Sequence, residues 1–127
     1  MRFDQVSWFD DLLVVMRRSL MGDGEILKRQ VKNGIARLWK ESNTETYMIT
    51  RAERVDGVNV LVVCCYEGKN VTAAVINIIA MAKGMGCQAI RYHTKHRGLK
   101  RLVADKYGFE CIEKRKTESV YLLNLRA

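Results

Sequence analysis

The chain has no proline and only 8% aromatic residues, and no serine-rich or glycine-rich stretch runs through its 127 residues. Neither a stiff nor a flexible linker is therefore visible, and residues 1–127 read as one domain. The longest uninterrupted apolar run, Val60 to Tyr66, falls far short of the roughly 20 residues that cross a bilayer. It reads as a core strand, and no membrane partner is expected. Asp4, Asp10 and Asp11 lie in the N-terminal stretch, and no small-residue cleavage site follows an apolar segment. No secretory leader is indicated, and a cytoplasmic location is expected. Cys64, Cys65, Cys87 and Cys111 show no C-x-x-C spacing and sit in apolar, strand-like segments, so reduced, buried thiols are expected. His93 and His96 are the only histidines and have no acidic neighbour in sequence, so no metal cofactor is expected.

A hydrophobic fraction of 48% is enough to build a core at this length. Charge is distributed unevenly. Residues 1–60 carry 10 Lys+Arg against 9 Asp+Glu, and residues 61–127 carry 12 against 5, so +7 of the net +8 lies in the second half. An anionic partner suits that half.

Periodicity divides the chain into an α/β order. Trp8, Leu12, Val15, Met16 and Leu20 fall at helical spacing, and the spacing predicts an amphipathic helix over residues 8–20, with Asp10 and Asp11 near its start and Arg17 and Arg18 near its end. A second helix starts at Asp23 or Gly24, runs through Leu27, Gln30 and Val31, and ends at Asn33-Gly34. Ile35–Glu41, Thr46–Val55 and Val58–Tyr66 are rich in β-branched and aromatic residues. They predict three antiparallel strands, the last two joined by the two-residue turn Asp56-Gly57. Val71, Ala74, Val75, Ile78, Ile79 and Ala82 form the stripe of a helix lying on a sheet, and Cys87–His93 follows as a return strand parallel to Val58–Tyr66. Leu99, Leu102 and Val103 predict a short helix over residues 97–106 that Gly108 ends. Phe109–Glu113 and Ser119–Leu125 then close the sheet as a hairpin.

Arg91, Lys95, Arg97, Lys100 and Arg101 lie within eleven residues that contain no acid. Arg97, Lys100 and Arg101 are the candidate anion-binding set, able to meet the phosphates of a nucleic acid or a coenzyme. The other reading is a solvated helix face opposite Leu99, Leu102 and Val103.

The order of two helices, three antiparallel strands, a β-α-β crossover, a short helix and a hairpin resembles the GNAT superfamily of N-acetyltransferases. Residues Arg97-Gly98-Leu99-Lys100-Arg101-Leu102, followed by Lys106-Tyr107-Gly108-Phe109, are similar to the family's fourth helix running into its Gly-Phe. Gly34 to Trp39, Ala82 to Cys87 and His96 to Leu99 together resemble the small GNAT-like proteins of tailed bacteriophages and prophages.

The resemblance implies acetyl-CoA as a cofactor and acyl transfer to an amine. It places the coenzyme's pyrophosphate at the turn Tyr66-Glu67-Gly68-Lys69-Asn70-Val71-Thr72-Ala73, where Tyr66, Gly68, Lys69, Asn70, Val71 and Thr72 are the candidate cofactor-binding residues. Of the family's glycine pattern only Gly68 is present, and Asn70 or Thr72 can equally cap the helix that follows. The position of the family's tyrosine acid is Ala104, and that of its customary asparagine is Arg97. Tyr107 is expected to pack beside Phe109 instead. Glu67 is the candidate general base, or else an exposed strand-end glutamate. Two functions follow: an acyl-CoA-dependent N-acyltransferase, and a non-catalytic virion or accessory protein that contacts DNA or another virion protein.

Overall fold

The computed structural model describes residues 2–20, 22–95 and 99–125, with the backbone alone for 18, 19 and 100. Among the described residues, seven strands form one mixed sheet in the order β1-β2-β3-β4-β5-β7-β6. The strands are β1 Phe3–Val6, β2 Ala36–Glu41, β3 Tyr47–Val55, β4 Val58–Glu67, β5 Ala89–Thr94, β6 Glu110–Lys114 and β7 Ser119–Asn124. The helices are α1 Leu12–Val15, α2 Arg17–Leu20, α3 Gly24–Lys32, α4 Val71–Gly84 and α5 Asp105–Tyr107, with a π-helical turn Lys100–Ala104 leading into α5. The chain forms two compact units, Met1–Ala52 with Val63–Lys69 and Glu53–Val62 with Asn70–Ala127.

In the first unit, Phe3 of β1 lies opposite Glu41 of β2, and Leu38 of β2 lies opposite Ile49 of β3, both pairings antiparallel. Leu12, Met16, Leu20 and Leu27 from the helices pack with Ala36, Leu38, Tyr47, Ile49 and Cys65 from the strands. The predicted helix over residues 8–20 is instead two short pieces that meet at Met16, whose φ of −102° and ψ of 18° leave the helical region. The Met16 N–H still bonds the Leu12 carbonyl at 2.9 Å. The stripe at spacing four therefore stays buried, while Val15, expected inside, is exposed. Gly24 opens α3 as expected, and a Cβ there would come within 2.6 Å of Leu13 Cδ2, so a larger residue would require the Leu13 side chain to shift. At the other end of α3, Gly34 has φ +77° and the Ile35 N–H reaches the Gln30 carbonyl at 2.8 Å. Strand β1 has no counterpart in the sequence reading, because four residues centred on Asp4 and Gln5 carry no apolar alternation.

In the second unit, Asp56 and Gly57 have φ of 50° and 79°, the two left-handed residues of a type I′ hairpin turn. Val60, Leu61 and Val62 are buried in succession, as a strand covered on both faces requires. The Gln88 N–H donates to the Asn59 carbonyl at 2.8 Å. The start of β4 therefore lies beside the start of β5, and the two run parallel, as predicted. Helix α4 buries Ala74, Val75, Ile78 and Ala82, the predicted stripe. Tyr92 of β5 lies opposite Tyr121 of β7 and stacks on it at 5.3 Å, and Phe109 meets Tyr92 edge-on at 5.1 Å.

Two expectations for this unit fail. Leu102 is 50% exposed, whereas Val103 and Ala104 are buried, because the π-helical turn places an extra residue in the coil and rotates the apolar face by one position. Cys111 is exposed rather than buried, since β6 ends the sheet order and all five of its residues are exposed. The four cysteines are free thiols.

The corner between β2 and β3 positions the end of β4 in the first unit. Glu41 is a buried carboxylate, 2% exposed. Its Oε2 accepts the Thr44 hydroxyl at 2.8 Å and the Asn43 N–H at 3.0 Å, and its Oε1 accepts the Ser42 hydroxyl at 3.3 Å. The Thr44 hydroxyl also lies 2.9 Å from that of Thr46, and Lys40 Nζ donates to the Thr44 carbonyl at 2.9 Å. Thr46 in turn lies directly beneath Gly68. A Cβ on Gly68 would overlap the Thr46 Oγ1 and come within 2.6 Å of its Cγ2, and the φ of +153° favours glycine independently.

Gly68→Ala is expected to cost about 1–3 kcal/mol in chemical denaturation, with part of that recovered when Thr46→Ala removes the overlapping atoms. The Thr44 hydroxyl, followed by the Asn43 N–H and the Ser42 hydroxyl, holds the Glu41 carboxyl below its ordinary value of 4.5 despite burial. The carboxylate therefore stabilises the fold above pH 4.5, and that contribution disappears as pH falls through the depressed folded value. Glu41→Gln should melt below the parent protein at pH 7, and the gap should narrow as pH falls toward 3. A gap that is constant over this range would show that the carboxylate's charge contributes nothing.

Candidate functional site

Glu67 is the last residue of β4 and is half-buried. In the first unit it lines an open groove of about 400 Å³ together with Val14, Val15 and Arg17 from the end of α1 and the start of α2. The candidate base is thus held at a strand end over a groove, rather than projecting alone into solvent. Val14 and Val15 are 67% and 36% exposed there. In the sequence Arg17 reads only as a charge at a helix end, and its place beside Glu67 has no local signal.

The neighbours of Glu67 make a rigid turn. The Tyr66 hydroxyl donates to the Lys69 carbonyl at 2.8 Å. Burial, followed by the Glu41 charge, pushes the Tyr66 phenol up to about 12, so it remains a neutral donor at physiological pH. Tyr66 therefore clamps the turn. Gly68 is seated on Thr46, and Lys69 is exposed.

In the second unit, Asn70 precedes α4 in the left-handed conformation, with φ 58° and ψ 44°, and its side chain makes no capping hydrogen bond. The helix bonds begin with the Ala74 N–H on the Asn70 carbonyl at 3.1 Å. The N–H groups of Val71, Thr72 and Ala73 therefore precede the hydrogen-bonded ladder, and no acidic residue occupies the first turn. An α4 N-terminus of this kind suits a phosphate group, and of the two residues offered as a cap, Asn70 and Thr72, Asn70 makes no capping hydrogen bond.

The hydroxyl of Tyr107 donates to the Thr72 carbonyl at 2.8 Å, tying α5 to the first turn of α4. The edge-on aromatic partner of Phe109 is Tyr92. Ala104, at the position of the family's acid, is 1% exposed. Within the basic segment, Arg91 is half-buried and paired with Glu53 at 2.9 Å. Arg101 is exposed. Arg97 and the side chain of Lys100 lie outside the described residues. His93 Nδ1 lies 3.5 Å from Glu118, a carboxylate that the sequence places 25 residues away.

No protein-family model and no curated protein sequence matches the chain. Solved structures do match its fold. A Bacillus subtilis acetyltransferase in complex with CoA superposes with a TM-score of 0.70 at 14% identity, covering 98% of each chain. An acetyltransferase of the GNAT family from Listeria monocytogenes gives 0.61 at 16% identity, over 91% of this chain and 86% of that one. A chain of the AtaT-AtaR complex bound to DNA gives 0.60 at 12% identity, over 99% and 95%. At these identities the likeness concerns architecture, and the chain has the fold of the GNAT acetyltransferases.

Proposed function

We propose that the chain is an acyl-CoA-dependent N-acyltransferase whose 127 residues act as one domain. The observation that carries this reading is the uncapped N-terminus of α4, which begins a few residues after the groove-lining Glu67 in the chain. The backbone N–H groups of Val71 and Thr72, with Lys69 as a point charge, hold the coenzyme's phosphates. Arg97, Lys100 and Arg101 supply further cations from the basic segment. Acetyl-CoA, when bound, supplies an acyl group activated as a thioester. Glu67 takes the proton that an acceptor ammonium must lose to become a nucleophile, directly or through a water. Ala104 offers no proton, so the reaction relies on positioning and on the base.

A second reading is a non-catalytic GNAT-like protein of a phage virion or an accessory protein that contacts DNA. It is favoured by the excess charge of +7 over residues 61–127, and the AtaT-AtaR complex bound to DNA offers a fold precedent.

Acetyl-CoA at about a hundred times its dissociation constant should add about 2.7 kcal/mol of stability in a thermal melt. No shift at millimolar ligand would remove the transferase reading. Glu67→Gln should keep that shift while lowering the rate of thiol release from acetyl-CoA by about 10²–10⁴-fold. If duplex DNA binds instead, the triple substitution Arg97→Ala/Lys100→Ala/Arg101→Ala should flatten the log–log salt slope by about 0.9 for each phosphate that the variant no longer neutralises.

A further inference from the structure

The groove beside Glu67 presents two opposite charges and two valines. Glu67 lines it from the end of β4, Arg17 from the start of α2, and the exposed Val14 and Val15 from α1, just before Arg17 in the chain. Arg17 makes no ion pair or hydrogen bond with any described residue, Glu67 included. Its guanidinium therefore keeps its full set of donors for a ligand. A carboxylate accepts several hydrogen bonds at once, so Glu67 can take an ammonium in addition to any protein partner. The volume of about 400 Å³ falls at the small end of the range for small-molecule sites, roughly 300–1,000 Å³.

We infer that the groove binds a free α-amino acid with an apolar side chain as the acyl acceptor. The α-ammonium pairs with Glu67, the α-carboxylate takes the fork of Arg17, and the side chain lies on Val14 and Val15. This rests on the transferase reading for its role as acceptor, and on the groove alone for binding. Three features favour this ligand over simpler ones. A plain amine would leave Arg17 without a partner, a plain carboxylate would face Glu67 with like charge, and a polar side chain would leave both valines in contact with water. A peptide N-terminus matches the ammonium but carries a neutral amide where the α-carboxylate would be, so it forgoes the charge-assisted pair with Arg17.

The test is calorimetric titration of L-leucine, leucinol and 4-methylpentanoate into the full chain at pH 7. Leucine should bind about tenfold or more tightly than either analogue, since each analogue lacks one charge-assisted pair. Arg17→Ala should erase the preference for leucine over leucinol. Glu67→Gln should erase the preference over 4-methylpentanoate. Leucinol binding as tightly as leucine, preferences that survive both substitutions, or no binding of leucine at tens of millimolar would each overturn the inference. The acetyl-CoA melt separates this outcome from the wider reading. A coenzyme shift without leucine binding sinks the acceptor class alone, whereas leucine binding without a coenzyme shift keeps the amino-acid site and sinks acyl transfer.

Discussion

The close approach of Gly68 to Thr46 is the constraint on which the end of β4 depends. Thr46 is 3% exposed and leaves no room for a side chain at position 68. Its hydroxyl is linked through Thr44 to the buried Glu41 carboxylate, which also gathers the Ser42 hydroxyl and the Asn43 N–H. A loop of short polar residues is thereby held as firmly as a strand, because a buried carboxylate is tolerable only when its lone pairs are occupied. The fixed loop gives the Tyr66–Lys69 turn one seat, and Glu67 is fixed between them.

The turn gains a second restraint from Tyr66. Its hydroxyl holds the Lys69 carbonyl, and both burial and the neighbouring Glu41 charge oppose ionisation of the phenol. Burial first, and the Glu41 charge second, oppose loss of the phenol proton that makes this hydrogen bond. A base at the end of a strand needs such support, since a misplacement of about 1 Å in a reacting group can cost about a hundredfold in rate.

The second unit handles its polar groups differently. Arg91 is taken by Glu53, and the Tyr107 hydroxyl by the Thr72 carbonyl. The first turn of α4 has no side-chain cap from Asn70, which adopts a left-handed conformation. In a 14-residue helix that end carries a partial positive charge and unpaired donors. The depleted glycine pattern therefore still leaves a helix end suited to an anion, because that property comes from backbone geometry rather than from any one side chain.

Strong local patterns were enough to read most elements from the sequence. The stripe of α4, the Asp56-Gly57 hairpin, the apolar β4 and the Gly34 stop of α3 each depend on residues near one another in the chain, and each is found where the pattern puts it. What failed depended on distant partners or on a single change of register. Strand β1 exists because β2 offers it a partner, α1 and α2 separate at Met16, whose backbone leaves the helical region, and the π-helical turn rotates Leu102 outward. The candidate site divides in the same way. Glu67 and the turn after it follow from chain order, which any strand-to-helix junction would reveal. That Glu41 and Thr46 lie under this turn, that Arg17 shares a groove with Glu67, and that Tyr107 reaches Thr72 are matters of distance between residues far apart in sequence. Periodicity encodes which face of an element is buried, but not which residue of a distant element it meets, and that was left to tertiary packing.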